Sequence, residues 1–195
     1  LMWPDLREGV IYLWRQPRLL LPLALTFATL VAISPSGGLL AAIVHAQEGT
    51  IVDLGLLGAS FSVGAFLGAG YAGARGAGLS PVHRYALLAP VAAAALALFA
   101  LLPIGLHSAL PLAVLGFIAF AEAVWNTSRV RQLADPAYQA RVQSFTSMAF
   151  TLSFPLGSLW GGLAIDRFGV RALLGGAAAL ALIAVVSTLV ARRSE

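Results

Sequence analysis

Six long apolar stretches account for almost all of this 195-residue chain and limit what it can fold into. They lie near residues 19–46, 54–74, 85–103, 109–128, 142–165 and 172–191. An α-helix rises about 1.5 Å per residue, so roughly 20 apolar residues cross the hydrocarbon core of a bilayer. The sequence therefore predicts an all-α polytopic membrane protein with six transmembrane helices.

Composition agrees with a lipid environment and excludes several kinds of site. Charged residues make up 10% of the chain, against about 25% in a typical soluble domain. The chain has no cysteine, which excludes disulfides, thiolate metal sites and a cysteine nucleophile. All 12 basic residues are arginines, and most lie at span ends rather than on one face. We therefore expect the lipid bilayer as a partner, no nucleic acid, no metal and no cofactor.

The distribution of arginine predicts the orientation of the chain. If the first span runs outward from the cytoplasm, the inner segments hold ten arginines and the outer loops hold only Arg167 and Arg171. This positive-inside bias predicts a multi-pass protein of the plasma (cytoplasmic) membrane with both termini cytoplasmic. Residues 1–18 are then a cytoplasmic interfacial segment, 19–191 the helical bundle and 192–195 a tail. A signal peptide ending near residue 46 is the alternative for the first span, but its apolar core of about 27 residues is too long.

An internal repeat relates the second span to the fifth. At an offset of 93 residues, two Ser-Phe-x-x-Gly-x-x-x-Gly motifs coincide, which align Ser60, Gly64 and Gly68 with Ser153, Gly157 and Gly161. Residues four apart share a helix face, so each set predicts a small-residue groove for close helix packing. Three spans separate the copies, so their helices run in opposite directions. This predicts a 3+3 inverted repeat, with repeat 1 near 19–103 and repeat 2 near 109–191.

A proline near the middle of the first span predicts a kink. Pro35 lacks an N–H and clashes with the carbonyl four residues earlier, so the helix is expected to bend or open there. The freed carbonyl and the hydroxyls of Ser34 and Ser36 could contact a substrate, as broken helices do in transporters. A purely conformational kink is the alternative. Thr26 and Thr29 are expected to bond back to their own helix.

Four sequence stretches carry a resemblance to a known family. They are Glu8-Gly9-x-x-Tyr12-Leu13-x-x-x-Pro17, the segment 126–144 with Gln132, Pro136, Arg141-Val142 and Ser144, the triplet Pro155-Leu156-Gly157, and Gly162-x-x-x-Asp166-Arg167-x-Gly169-x-Arg171. In order and spacing they resemble the C-terminal half, helices seven to twelve, of a major facilitator superfamily (MFS) transporter. The closest similarity is to its drug and siderophore (enterobactin-type) exporters. One departure is the loop at 69–76, which lacks the acidic residue that the superfamily often has there.

The fourth span contains the main candidate for a transport pathway. Glu122, Asn126 and Arg129 recur at i, i+4 and i+7, so they share one helix face. A carboxylate within a span costs about 3 kcal/mol unless it faces protein or water. The resemblance implies that this helix lines a central cavity and that Glu122 couples transport to protons or recognises a cation. The alternative is a hydrogen bond from Glu122 that holds the bundle together.

Charged residues at span ends are candidates for gating. The resemblance implies that Asp166, Arg167 and Arg171 latch neighbouring helices at the outer side. Arg75 and Arg84 are cytoplasmic positive charges, although the missing acid leaves the usual gating pair of that loop unassigned. Solvated loop charge that stabilises helix ends by a few tenths of a kcal/mol is the alternative for the outer group.

The resemblance implies a function in transport rather than catalysis. We expect a secondary active transporter that exports a small lipophilic or amphipathic substrate by proton-coupled alternating access. Its partner is the N-terminal six-helix half of the same transporter or a second copy of this chain. One alternative is a membrane subunit of an ATP-driven transporter, although the chain has neither a phosphate loop nor lysine. An intramembrane protease using Ser60 is the other, but all three histidines lie at span ends or in loops.

Overall fold

The computed structural model describes residues 8, 11–76 and 80–193, and this part of the chain contains helices and no strands. The helices are α1 (Pro17–Gly38), α2 (Leu40–Ala46), α3 (Ile51–Arg75), α4 (Pro81–Leu101), α5 (Leu106–Leu133), α6 (Gln139–Phe168) and α7 (Leu173–Arg193), with a 3-10 turn at Val170–Ala172. Six of them are long and apolar enough to cross a membrane, which confirms the all-α, multi-pass class. Arg7, Ser194 and Glu195 lie outside the described residues, as do the side chains of Arg192 and Arg193.

Local sequence signals set several helix ends. Thr50 and Asp53 form a capping box at the start of α3, where the Thr50 N–H donates to the Asp53 carboxylate at 2.8 Å. Ser80 caps α4. Gly76 and Gly169 end α3 and α6 with φ of 61° and 69°, a left-handed conformation that favours glycine. These two glycines coincide at the repeat offset of 93 residues.

The first predicted span is two helices rather than one. Helical hydrogen bonding continues past Pro35 and stops at Leu39, whose N–H donates to the Pro35 carbonyl at 3.0 Å. The consecutive glycines Gly37 and Gly38 favour this break, because glycine costs about 1 kcal/mol in a helix relative to alanine. Of the two outcomes expected at Pro35, a bend or an opening, the opening does not occur at Pro35 itself, and the interruption lies one turn further on.

Three helix pairs dominate the packing of the bundle. They are α3 with α5, α4 with α7, and α1 with α6. The core between α1, α2, α4, α5 and α7 contains fully buried apolar side chains, among them Ile43, Leu96, Phe99, Leu112 and Leu180. About 61% of the most apolar part of α1 and of α5 is buried, against 17% for α3 and α6. Helices α1 and α5 are therefore central, and α3 and α6 are peripheral.

The two small-residue grooves both meet a neighbouring helix. Gly64 and Gly68 lie directly against the backbone of Ala113 and Phe117 in α5. The corresponding glycines of α6, Gly157 and Gly161, lie against Ser34 and Pro35 of α1. Neither groove has room for an added methyl group, so glycine sets the distance between these helices. Ser60 and Ser153 stand at the start of the grooves and donate to carbonyls of their own helices, at 2.7 and 2.6 Å.

The segment before α1 packs on the loop that joins α5 to α6. Residues 11–14 are helical, and Leu13 is buried. The Tyr12 ring stacks on Tyr138 with 4.5 Å between centroids, and its hydroxyl accepts a hydrogen bond from the Asp135 N–H at 3.0 Å. Arg141 donates to the Glu8 carboxylate at 2.6 Å. The described part of the predicted interfacial segment is thus docked on protein, while the Trp14 side chain stays exposed.

Candidate functional site

Four polar side chains from three helices meet inside the apolar bundle. Thr26 comes from α1, Tyr85 from α4, and Glu122 and Asn126 from α5, and each is at most 5% exposed. Polar side chains buried in a bundle must find partners within it, because an unpaired buried polar group costs a few kcal/mol. We call these four residues the polar cluster.

Hydrogen bonds run through the polar cluster in one direction. The Asn126 amide donates to the Thr26 hydroxyl, which in turn bonds to the Tyr85 hydroxyl. The Tyr85 hydroxyl donates to the Pro22 carbonyl at 3.2 Å. With Tyr85 donating to Pro22, Thr26 is the donor to Tyr85 and the acceptor from Asn126. The chain therefore satisfies both hydroxyls and joins three helices.

Glu122 lies beside this chain of hydrogen bonds with its carboxylate unsatisfied. Both carboxylate oxygens are covered, and neither has a hydrogen-bond partner among the described residues. The carboxylate lies close to the Tyr85 hydroxyl without meeting hydrogen-bond geometry, and it is within electrostatic range of Arg84. An unpaired charge costs several kcal/mol at such a depth. Gaining or losing a proton at Glu122 therefore changes the energy of this part of the bundle.

Arg84 is buried in the first turn of α4, whereas the sequence indicated a charge in a cytoplasmic loop. Its side chain is 3% exposed, and none of its guanidinium nitrogens has a hydrogen-bond partner among the described residues. The guanidinium carbon lies 4.6 Å from the centroid of the Trp125 ring, a cation–π distance. Trp125 is three residues after Glu122, so the two share a helix face and Arg84 reaches the side of α5 that carries the carboxylate.

Arg129 continues the polar stripe of α5 and reaches the N-terminal end of α1. It is half-buried, and its Nε donates to the Arg18 carbonyl at 3.4 Å. That carbonyl is four residues before Pro22, which has no N–H to offer it. The predicted stripe of Glu122, Asn126 and Arg129 thus faces other helices, α4 at one end and α1 at the other.

A cavity of about 220 Å³ lies between α1, α5 and α6 and adjoins the polar cluster. Its polar lining consists of hydroxyls and amides, namely Thr26, Asn126, Thr127, Gln143, Thr146, Ser147 and Thr151. Its apolar lining includes Phe27 and Phe150, and no charged side chain lines it. The Gln143 carbonyl oxygen has no hydrogen-bond partner among the described residues, while its amide donates to Thr127 at 3.5 Å.

The Ser34-Pro35-Ser36 segment packs against other helices and does not line this cavity. Ser34 donates to the Ser153 carbonyl at 3.1 Å, and Ser36 donates to the Ile33 carbonyl at 2.6 Å. All three residues are buried. The carbonyl freed by Pro35 belongs to Val31 and accepts a hydrogen bond of 2.8 Å from the Trp160 indole. The carbonyl and the two hydroxyls that were candidates for substrate contact are thus hydrogen-bonded within the bundle.

The two threonines of α1 also differ from expectation. Thr26 was expected to bond to its own helix, but its hydroxyl bonds to Tyr85 and Asn126 on other helices. The Thr29 hydroxyl is buried and has no partner in the part of the chain that the structure describes. The Thr26 hydroxyl does not bond to a carbonyl of its own helix because two side-chain partners lie within reach across the helix interface.

The charges predicted to gate or latch lie at the ends of the bundle. Asp166, Arg167 and Arg171 are exposed around the junction of α6 and α7. No ion pair joins them within the described residues. Arg75 is also exposed, and its guanidinium carbon lies 5.6 Å from the centroid of the Tyr71 ring. Of this predicted group, only Arg84 comes near the polar cluster.

Tyr85 and the polar wall that α6 contributes to the cavity were not predicted from the sequence. Tyr85 stands at the first residue of a predicted span, where tyrosine is commonly an interfacial anchor. A signal for the wall was present, since Gln143, Ser147 and Thr151 recur every four residues in the fifth span, with Thr146 beside them. That spacing predicts a polar stripe on one helix face.

The polar cluster and the cavity form one continuous polar region, in which Asn126 and Thr26 belong to both. Glu122 therefore lies next to a chain of hydrogen bonds, through the Tyr85 and Thr26 hydroxyls, that reaches the cavity wall. Such a region can bind a small molecule and can respond to a proton on Glu122. Comparison of the chain with models of protein families, with curated proteins and with solved structures found no match.

Proposed function

We propose that this chain is one half of a secondary active transporter of the MFS type. It moves a small lipophilic or amphipathic compound across the membrane by proton-coupled alternating access. The observation that carries this proposal is the uncharged cavity of about 220 Å³ whose wall is hydrogen-bonded through Thr26 to Tyr85, beside the buried Glu122. Hydroxyls, amides and aromatic rings around a cavity suit a neutral or amphipathic ligand.

Glu122 is the proposed proton-coupling residue. A proton on its carboxylate removes a charge from an environment in which each buried ion costs several kcal/mol. Loss of that proton leaves a negative charge on Glu122 within electrostatic range of Arg84, which has no other ionic partner among the described residues. Because Asn126 and Thr26 lie in both the cluster and the cavity wall, the two charge states of Glu122 are expected to hold the wall differently. The occupancy of the cavity is thereby linked to the proton.

The proposed architecture is a 3+3 inverted repeat, and two observations support it. The repeat relates α1, α3 and α4 to α5, α6 and α7, in that order. Under this relation the α3–α5 pair corresponds to the α6–α1 pair, and the α4–α7 pair corresponds to itself. The repeat offset also brings Gly76 onto Gly169, and both residues end a helix in the same left-handed conformation. A structural repeat of this kind places a substrate site near the midplane between the repeats.

The proposed partner is a second six-helix half, either the N-terminal half of the same transporter or a second copy. Helices α3 and α6 expose large apolar side chains that lipid or such a half would cover, among them Phe66, Leu67, Leu152, Leu159 and Leu163. The native mass, detected through a C-terminal peptide, separates the two cases. A mass near twice 20.2 kDa indicates a covalent partner, whereas 20.2 kDa indicates a half that pairs with itself or a different six-helix machine.

Membrane placement and gating complete the proposal. The arginine bias favours the plasma membrane with both termini cytoplasmic. Arg75 and Arg84 are then on the cytoplasmic side, and Asp166, Arg167 and Arg171 on the outer side. Since the outer three are exposed, we assign them to latching contacts with the partner half. The resemblance to drug and siderophore exporters favours export.

Substrate-linked proton movement in vesicles tests the proposal. The native polypeptide is reconstituted in vesicles containing a trapped pH-sensitive dye, and a panel of uncharged amphipathic compounds is added with and without ATP. We expect at least one compound to drive proton movement without ATP, and the Glu122→Gln variant to abolish that movement. Glu48→Gln is the matched control, because Glu48 is an exposed glutamate outside the cavity. Wild-type proton movement in the Glu122→Gln variant, or movement that requires ATP, would refute proton coupling.

A further inference from the structure

A second cavity lies on the opposite side of α5 from the polar cavity. It has a volume of about 540 Å³, is formed by α3, α4 and α5, and is lined by Tyr71, Arg75, Gly76, Arg84, Leu87, Leu88, Phe117 and Trp125. It shares no lining residue with the cavity between α1, α5 and α6. We call it the arginine groove. Leu87 is 61% exposed and Tyr71 is 45% exposed, so the groove opens on the outer surface of the bundle.

The arginine groove carries positive charge that its lining does not neutralise. Arg75 and Arg84 both contribute to the wall, and no acidic residue does. Each guanidinium lies over an aromatic ring, Tyr71 for Arg75 and Trp125 for Arg84. Arg84 is 97% buried, and its three guanidinium nitrogens have no hydrogen-bond partner within the described residues. Glu122 is within electrostatic range of Arg84 but makes no hydrogen bond to it, so the guanidinium still lacks a hydrogen-bonded anionic partner.

The groove is charged at one end and apolar at the other, which matches the charged headgroup and apolar acyl chain of a phospholipid. Arg75 is the last residue of α3 and Arg84 lies in the first turn of α4, so both arginines belong to one end of the bundle. Leu87 and Leu88 follow on α4 about one turn deeper, and Phe117 lies two turns from Trp125 along α5. The groove is therefore cationic at its rim and apolar toward the membrane interior. This is the layout of a headgroup and its acyl chain.

We propose that the arginine groove binds one anionic phospholipid. Its phosphate lies between Arg75 and Arg84, and an acyl chain runs along Leu87, Leu88 and Phe117. The charge complementarity favours an anionic headgroup, because basic pockets between transmembrane helices bind such lipids on the cytoplasmic side. The bound phosphate supplies the partner that Arg84 lacks. This site does not depend on what the protein transports, but Arg84 also lies within electrostatic range of Glu122, so the lipid affinity is expected to change with the charge of Glu122.

Thermal unfolding of the full chain in neutral detergent tests the site. Phosphatidylglycerol, phosphatidylcholine with the same acyl chains, and inorganic phosphate are titrated separately. We expect phosphatidylglycerol to raise the unfolding temperature saturably, and the other two to leave it unchanged. Stabilisation by inorganic phosphate alone would show a free-anion site, and equal stabilisation by phosphatidylcholine would show only an apolar groove. Either result overturns the proposal.

Arginine variants locate the lipid within the protein. A cation at the membrane surface contributes about 1 kcal/mol to anionic lipid binding, so Arg75→Gln is expected to weaken apparent phosphatidylglycerol affinity about fivefold. Arg75 is exposed, so this substitution does not disturb the core. Arg84→Gln is expected to weaken the affinity at least as much. Arg131→Gln is the matched control, since Arg131 is exposed on α5 and does not line the groove. Equal losses in all three variants would refute a specific site.

Fluorescence quenching provides a readout that does not depend on stability. Trp125 lies in the wall of the groove, and Trp14 and Trp160 do not. Phosphatidylglycerol with brominated acyl chains should quench the part of the emission that Trp125→Phe removes. Brominated phosphatidylcholine at the same concentration should quench it at least threefold less. Equal quenching by both lipids would contradict a site selective for the anionic headgroup.

Discussion

The contact of α3 with α5 and the contact of α6 with α1 use the same motif in different ways. In the first contact, the backbone of α3 at Gly64 and Gly68 lies directly against the backbone of α5 at Ala113 and Phe117. In the second, Gly157 receives the hydroxyl of Ser34, and Gly161 receives the ring of Pro35. The same spacing of small residues therefore makes a close backbone contact in one place and a contact made mainly through side chains in the other.

The difference matters because only the second contact borders the polar cavity. Helices α1 and α6 both line that cavity, together with α5, whereas α3 does not. The α6–α1 contact also contains hydrogen bonds that span the helices, from Ser34 to Ser153 and from Trp160 to Val31. The Ser34 side chain can change rotamer, although the Pro35 ring cannot, whereas a backbone contact cannot adjust without moving a helix. We expect the α3–α5 contact to stay fixed and the α6–α1 contact to adjust as the cavity changes.

The largest effect is expected for Gly64→Ala. The added methyl group would collide with the Ala113 backbone, so α3 and α5 must separate along their whole contact. Overpacking of this kind is expected to lower the free energy of unfolding by about 3 kcal/mol, measured by reversible unfolding in mixed micelles. Gly58→Ala is the control on the same helix, because nothing lies within 4 Å of its added methyl group. The control should be neutral or stabilising by up to about 1 kcal/mol.

Equal stability of Gly64→Ala and Gly58→Ala would contradict a rigid backbone contact. It would mean that α3 can move away from α5 without loss, and the distinction between the two contacts would disappear. A lower stability of both variants would instead show that α3 tolerates no added methyl group on either face.

A smaller effect is expected for Gly157→Ala. Its methyl group meets the Ser34 side chain, which can rotate away, although the Val31 carbonyl lies 2.7 Å from the same position. We expect a loss of about 1 to 2 kcal/mol in the same unfolding measurement. The double variant Ser34→Ala with Gly157→Ala removes the clash with the hydroxyl and should recover part of that loss. Strict additivity of the two substitutions would show that the side chain of Ser34 does not set this contact.

The sequence could predict these helices and glycines, but not what lies opposite them. Span length follows from bilayer thickness, and the repeat follows from spacing along one chain. The contact between Tyr85 and Thr26 depends on how α4 and α1 are placed side by side. The periodicity of residues along the sequence does not determine that placement. Arg84 illustrates the same limit, since a cation at the end of a span can point to solvent or turn inward over Trp125. Hydropathy does not distinguish these two orientations.

The smallest effect is expected for Trp160→Phe, which tests the hydrogen bond across the α6–α1 contact. Phenylalanine keeps most of the packing but cannot donate to the Val31 carbonyl that Pro35 leaves without its usual partner. The Ser34 hydroxyl remains at 3.4 Å from that carbonyl, so we expect a loss of only about 1 kcal/mol of unfolding free energy. Trp14→Phe is the matched control, because the Trp14 side chain is 70% exposed. A loss as large as that of Gly64→Ala would mean that the α6–α1 contact is no more adaptable than its counterpart, and the proposed site of movement would have to lie elsewhere.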